Sequence, residues 1–164
     1  MPKFKIKHKK LLPPITKNKE TLQIQFSISV PSTILERQVK SNIFNQRAKE
    51  VATFLSNTFG GDTTIKGKGD YTKDGKLIND EVFIVESSAT RNDYLKNRTK
   101  LSEKLTSWRE RWKQMQIFYN FEDKAYLYPN FKTVAKEEKQ GKFAEWRSKT
   151  EEILKTKKGE LKRF

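Results

Sequence analysis

The chain has 164 residues, a formal net charge of +15, one histidine and no cysteine. Disulfides, a thiolate nucleophile and cysteine-ligated zinc are thereby excluded. Apolar and charged residues each make up 34%, with eleven Phe, five Tyr and three Trp, so a core rests on a few large anchors.

Three parts are expected: a basic arm over 1–20, an α+β core over 21–129 and a charged helical extension over 130–164. Residues 1–19 hold seven lysines and no acid, residues 20–128 hold 17 basic and 14 acidic side chains, and residues 129–164 hold 11 and 6. Basic ends on a nearly balanced centre form the footprint of phosphate contact or of an acidic partner. In the arm, lysines alternate with Phe4, Ile6 and His8 until Pro13-Pro14 stops any regular element. His8, alone in a lysine run, lacks the convergent partners of a metal or catalytic site. No apolar run of signal-peptide type and no stretch of ~18 apolar residues is present, so a soluble, cytoplasmic protein is expected.

Leu22, Ile24, Phe26, Ile28 and Val30 alternate with Gln23, Gln25, Ser27 and Ser29, the pattern of a strand with one covered face. From Gln38 to Thr58, Ile43, Phe44, Ala48, Val51, Ala52 and Leu55 recur at helical spacing and Phe59 continues it, with Arg47, Lys49 and Glu50 on the other side. Gly60-Gly61 stops that helix. A strand through Thr63-Thr64-Ile65 follows, with a bulge or a close backbone approach expected at Gly67 and Gly69. Asp74-Gly75 marks a tight turn, and Glu81–Glu86 is the return strand. Asn92–Lys113 reads as a second helix, capped by Thr90 or Asn92, with Tyr94, Leu95, Leu101, Leu105, Trp108 and Trp112 as its apolar stripe. Met115–Asn120 and Lys124–Tyr128 form a last hairpin. The order strand, helix, hairpin, helix, hairpin is that of a ferredoxin-like split-βαβ core, β-α-ββ-α-ββ, with an antiparallel sheet. Phe143, Trp146, Ile153 and Leu154 suggest one or two helices in the extension.

Phe59, Gly60, Gly61, Thr63, Gly67, Gly69, Tyr71, Gly75, Glu81, Val82 and Val85 form a Phe-Gly-Gly-x-Thr pattern that resembles small uncharacterised α+β proteins of bacteria and mobile elements. The resemblance spans about residues 22–128, implies the fold, and supplies no catalytic residue and no cofactor.

Gly67-Lys68-Gly69 lacks both the P-loop spacing and the dinucleotide fingerprint, since position 72 is Thr. A metal-dependent nuclease would need Asp62, Asp70, Asp80, Glu81 and Glu86 to gather around Mg²⁺, without a fixed-spacing signature to tie them. Tyr119, Tyr126 and Tyr128 could stack exposed bases beside the polar strand face or belong to the core, and core is favoured. The main expectation is a nucleic-acid-binding, RNA- or DNA-binding, accessory protein of a bacterium, phage or mobile element, acting without catalysis. Its phosphate contacts would be Lys3, Lys5, Lys7, Lys9 and Lys10 in the first arm and Arg98, Arg109, Arg111 and Lys113 on the body. Lys155, Lys157, Lys158, Lys162 and Arg163 would form the second arm. The alternatives are a protein-binding inhibitor or subunit with an acidic target in phage–host conflict, and the nuclease.

Overall fold

The computed structural model describes residues 24–156 apart from Glu36, and of Tyr71, Lys73 and residues 154–156 only the backbone. The basic arm expected over 1–20 lies outside the described residues. The order of elements is β1 Ile24–Pro31, β2 Thr33–Ile34, β3 Arg37–Gln38, α1 Ser41–Phe59, β4 Thr63–Lys73, β5 Lys76–Ala89, α2 Arg91–Trp112, β6 Ile117–Phe121, β7 Lys124–Tyr128, α3 Phe131–Lys139 and α4 Lys142–Thr156.

Five strands form one sheet in the order β4-β5-β1-β6-β7, and all four pairings are antiparallel. α1 carries the chain from β1 past β5 to β4, and α2 carries it from β5 past β1 to β6. Two such crossovers make the ferredoxin-like split core, extended by β7. β1 lies at the centre because it has the cleanest alternation: Ile24, Phe26, Ile28 and Val30 are all buried on the side of the helices. Cross-strand partners share a face, so Phe83, Val85 and Ser87 of β5 and Tyr119 and Phe121 of β6 lie on that side too. α1 adds Ile43, Phe44, Val51 and Leu55, and α2 adds Leu101, Leu105, Trp108 and Trp112, to one continuous core. Trp108 and Trp112 stack with centroids 5.8 Å apart, and Phe54 meets Trp108 edge-on at 5.5 Å.

Several local expectations need correction. The β4–β5 ladder runs in unbroken register from Thr63↔Glu86 to Lys73↔Lys76, so Gly67 and Gly69 carry no bulge. Added at Gly67, a Cβ would meet Val82 at an ordinary 3.6 Å, so no close approach explains that glycine. The turn has Asp74 at φ 51° and Gly75 at φ 74°, the two left-handed residues of a type I′ hairpin. The short β2–β3 ribbon, with Thr33↔Gln38 and Ile34↔Arg37 paired, was not anticipated. Arg47, placed on the outer side of α1 by its spacing, is 2% exposed, and its Nη1 donates to the carbonyls of Pro31 (2.9 Å) and Thr33 (2.7 Å). Leu95 drops out of the α2 stripe at 47% exposed, while Arg109 enters it. Thr90 is the cap of α2, accepting the Asp93 N–H at 3.1 Å.

The extension holds two helices. Val134, Phe143 and Trp146 form a second small cluster, and Arg109, Lys113 and Lys142 lie 5.6, 5.3 and 5.1 Å from the Trp146 ring centroid. Thus α3 and α4 dock on the C-terminal half of α2 through one tryptophan ringed by cations.

Candidate functional site

The ends of β1, β4 and β5 and the β6–β7 turn meet where α1 stops. Gly60 takes the left-handed conformation, φ 93°, and its N–H donates to the Ser56 carbonyl at 2.8 Å. At φ 93° this C-cap favours a residue without a Cβ. It turns the chain through Gly61 into Asp62, whose carboxylate accepts hydrogen bonds from the Ser56 hydroxyl and, at 3.2 Å, from Thr64 Oγ1. Ser87 Oγ donates to the Gly61 carbonyl at 2.7 Å and ties the loop to β5. On the other side, the Glu122 N–H donates to the Gln25 carbonyl at 2.9 Å. That bond fixes the β6–β7 turn beside the start of β1, with Glu122 and Asp123 both at positive φ.

Between these walls lies a cleft of about 830 Å³. Phe26 and Phe59, edge-on at 4.9 Å, back it from the helix side, where Phe26 is 4% exposed. Hydroxyls and amides come from Gln25, Ser27, Thr63, Ser88 and Asn120, and carboxylates from Asp62, Glu86 and Asp123. Glu86 is exposed and stands between its cross-strand neighbours Ser27 and Thr63. Among the described residues no Lys or Arg lines the cleft, in a chain with 35 of them.

Of the residues named for phosphate contact, Lys3, Lys5, Lys7, Lys9, Lys10, Lys157, Lys158, Lys162 and Arg163 lie outside the described residues. Lys155 is described in α4 by its backbone alone. Arg98 is exposed on α2. Arg109 is not on the surface: it is 3% exposed, donates through Nε to the Met115 carbonyl at 2.9 Å and forms a two-pronged pair with Glu137. Arg111 pairs with Glu50. Lys113 is half-buried over Trp146, and burial lowers its pKa. The body therefore offers no converging set of these four cations.

The acidic residues considered for Mg²⁺ are dispersed. Asp80 accepts from Ser32 and from Gln38 at 3.1 Å, and Glu81 pairs with Lys66 at 3.2 Å. Asp70 sits opposite Asn79, seven residues along β4 from the Thr63 that pairs with Glu86, or about 24 Å at a strand's rise. Among the described residues no three His, Cys, Asp or Glu side chains are grouped to hold a metal. The tyrosines lie on the helix side: Tyr119 pairs with Ile28 and with Tyr126, and the Tyr128 hydroxyl lies 3.1 Å from Ser102 Oγ and 2.8 Å from Thr106 Oγ1. Among the described residues no helix is long and apolar enough to cross a membrane.

The cleft went unnoticed in the sequence because its carboxylates stand at positions 62, 86 and 123, with no common spacing. Only the strand order brings them together. The one local signal is Phe59-Gly60-Gly61-Asp62, a helix stop that is also a wall of the cleft.

No protein-family model matches the chain, and no curated protein matches it. Two solved structures are similar. A phage SAM lyase in complex with S-methyl-5'-thioadenosine is 12% identical, with 63% of this chain and 87% of that chain covered and a TM-score of 0.45. A phage SAM lyase in the apo state is 14% identical, with 66% and 90% covered and a TM-score of 0.48. These neighbours are enzymes and not nucleic-acid-binding accessory proteins. The nucleic-acid-binding reading is corrected on that finding.

Proposed function

We propose that the cleft binds a nucleoside-sized ligand that carries a positive charge. The observation that carries this reading is the convergence of Asp62, Glu86 and Asp123 on a cavity without basic lining among the described residues, in a chain of charge +15. Such a local sign inversion selects cations against the field of the rest of the molecule. The volume of about 830 Å³ lies in the range of small-molecule sites. The hydroxyls and amides of Gln25, Ser27, Thr63, Ser88 and Asn120 suit a polyol such as ribose. S-adenosylmethionine, an adenosine whose sulfonium and ammonium groups outweigh its single carboxylate, fits that description, and it is the compound for which the phage lyases are named.

Calorimetric titration of the full chain with S-adenosylmethionine and with S-adenosylhomocysteine, which lacks the sulfonium methyl and its charge, tests the reading. The sulfonium compound is expected to bind about tenfold tighter or better, a difference of ~1.4 kcal/mol. Glu86→Gln and Asp123→Asn should each reduce that preference. Equal affinity for the two compounds, or binding of neither at millimolar concentration, would overturn it.

A further inference from the structure

The floor of the cleft continues into an apolar strip on the same face of the sheet, the one turned away from α1 and α2. Thr63, Glu86, Ser27 and Asn120 form one row across β4, β5, β1 and β6. Two residues away along the same strands stand Ile65, Ile84, Ser29 and Phe118, and Phe118 pairs with Leu127 on β7. The two rows lie about 7 Å apart. The first is polar, with Asn120 Nδ2 reaching Ser27 Oγ at 3.4 Å; the second is apolar except for Ser29. Ile65 and Phe118 are 46% and 41% exposed, and Ile84 is half-buried. Ile84 and Phe118 stand two strand spacings apart, about 9.6 Å. The small Ser29 between them leaves a shallow trough that runs along β1 toward Ser27.

We propose that this strip seats the planar base of the ligand, with Ile84 and Phe118 as its contact residues on either side of Ser29. This rests on the cleft holding a nucleoside, and it names the part of the ligand that the carboxylates do not hold. Continuity with the cleft selects the occupant. A ribose on the polar row has two neighbouring rows for its base. On one side Gln25 pairs with Ser88, and both are polar; only the Ile84 side offers apolar surface. The strip is also too small for a protein partner: about 19 Å by 7 Å, against the ~800 Å² that each side of a stable contact buries. Being uncharged, it leaves the positive charge of the ligand to Glu86. Ser29 brings its one hydroxyl, so the contact is a stacking platform, which tells a base from no base and hardly one base from another.

The test titrates the methyl-labelled full chain, by NMR and calorimetry, with three compounds. S-adenosylmethionine has base and charge, S-methylmethionine keeps the sulfonium without a base, and adenosine keeps the base without a charge. S-adenosylmethionine is expected to bind about tenfold tighter than S-methylmethionine or better, the size of one base stacked on a side-chain platform. Adenosine should move the methyl signals of Ile65 and Ile84 upfield, as an aromatic ring over them does, and leave those of the core residues Ile43 and Leu55 in place. Phe118→Ala and, separately, Ile65→Ala should each weaken S-adenosylmethionine about fivefold or more and leave S-methylmethionine unaffected. Both positions are exposed, so their melting midpoints should hold. Leu95→Ala, on α2 and 47% exposed, should change nothing. If S-adenosylmethionine outbinds S-adenosylhomocysteine while both strip variants bind it like the parent and Ile84 stays put, the strip proposal falls and the cleft reading stands. If adenosine moves Ile84 but the sulfonium adds no affinity, the cationic reading falls and the strip keeps its base. Signals of Ile65 and Ile84 that shift with protein concentration alone would give the strip to a second copy, and binding of none of the three compounds would overturn both readings.

Discussion

Glu137 holds α3 to α2. It accepts from Arg109 Nη1 at 3.0 Å and again from Nη2, and Lys142 reaches it at 2.8 Å. The Arg109 hydrogen bonds, with Lys142 adding to them, outweigh the opposing effect of burial and hold its carboxyl down at about 2. A carboxylate whose pKa is depressed by folding adds stability above its unfolded value, ordinarily about 4.3, and loses it as pH falls toward the folded value. Glu137→Gln leaves Arg109 buried with a neutral partner, so about 1–3 kcal/mol should be lost at neutral pH. Urea unfolding of both forms at pH 7 and near pH 2 checks this: the gap should be present at pH 7 and largely closed near pH 2. A gap that stays constant with pH would show that the charge is not what matters. Lys113 illustrates the opposite balance on the same ring. Burial against Trp146 lowers its pKa, although Glu110 pulls the other way.

α1 and the β4–β5 hairpin owe their placement to two glycines, and the cleft depends on the first of them. Gly60→Ala forces a Cβ into φ 93°, where no neighbour lies within 4 Å but the backbone itself resists. A cost of about 1–2 kcal/mol is expected from that conformation alone. Gly61→Ala, with no positive φ and equally open space, should cost well under half as much. Thermal melts of the two variants decide between them, and equal losses would mean that the αL cap is not the source. These elements were legible because their signals are local. Strict alternation marks β1, a 3.6-residue stripe marks α1 and α2, and Gly60 and Asp74-Gly75 punctuate them. β2 and β3 were not legible, since two residues cannot show a period. Arg47 and Arg109 were misplaced because spacing treats a guanidinium as a surface group. Both are buried over tryptophan rings, at 5.4 Å from Trp112 and 5.6 Å from Trp146, and their hydrogen bonds end on partners outside their own helix turn. The cleft was illegible for a third reason: it is a product of strand order, and its three acids share no spacing.

At the scale of the whole molecule, the described residues build one large core and one small one. The first joins the sheet to α1 and α2; the second is only Val134, Phe143 and Trp146. Segments with few buried apolar contacts open below the global unfolding free energy. The α3–α4 pair meets that description, since its attachment to α2 rests on Trp146, on the Arg109–Glu137 pair and on Lys142, which bridges Glu110 and Glu137. Trp146→Ala removes the largest side chain of the small cluster, and such truncations cost about 3–5 kcal/mol where the site cannot collapse. Since the ring is also the surface on which three cations rest, its loss should raise their mutual repulsion. Native-state hydrogen exchange is the measurement. Amides of residues 134–150 are expected to exchange about 100-fold faster in the variant, equivalent to ~2.7 kcal/mol. Those of β1 and the β5 residues paired with it, at the centre of the sheet, should keep their rates. If the sheet amides accelerate by the same factor, the two clusters unfold together, and the C-terminal helices belong to the cooperative unit of the core.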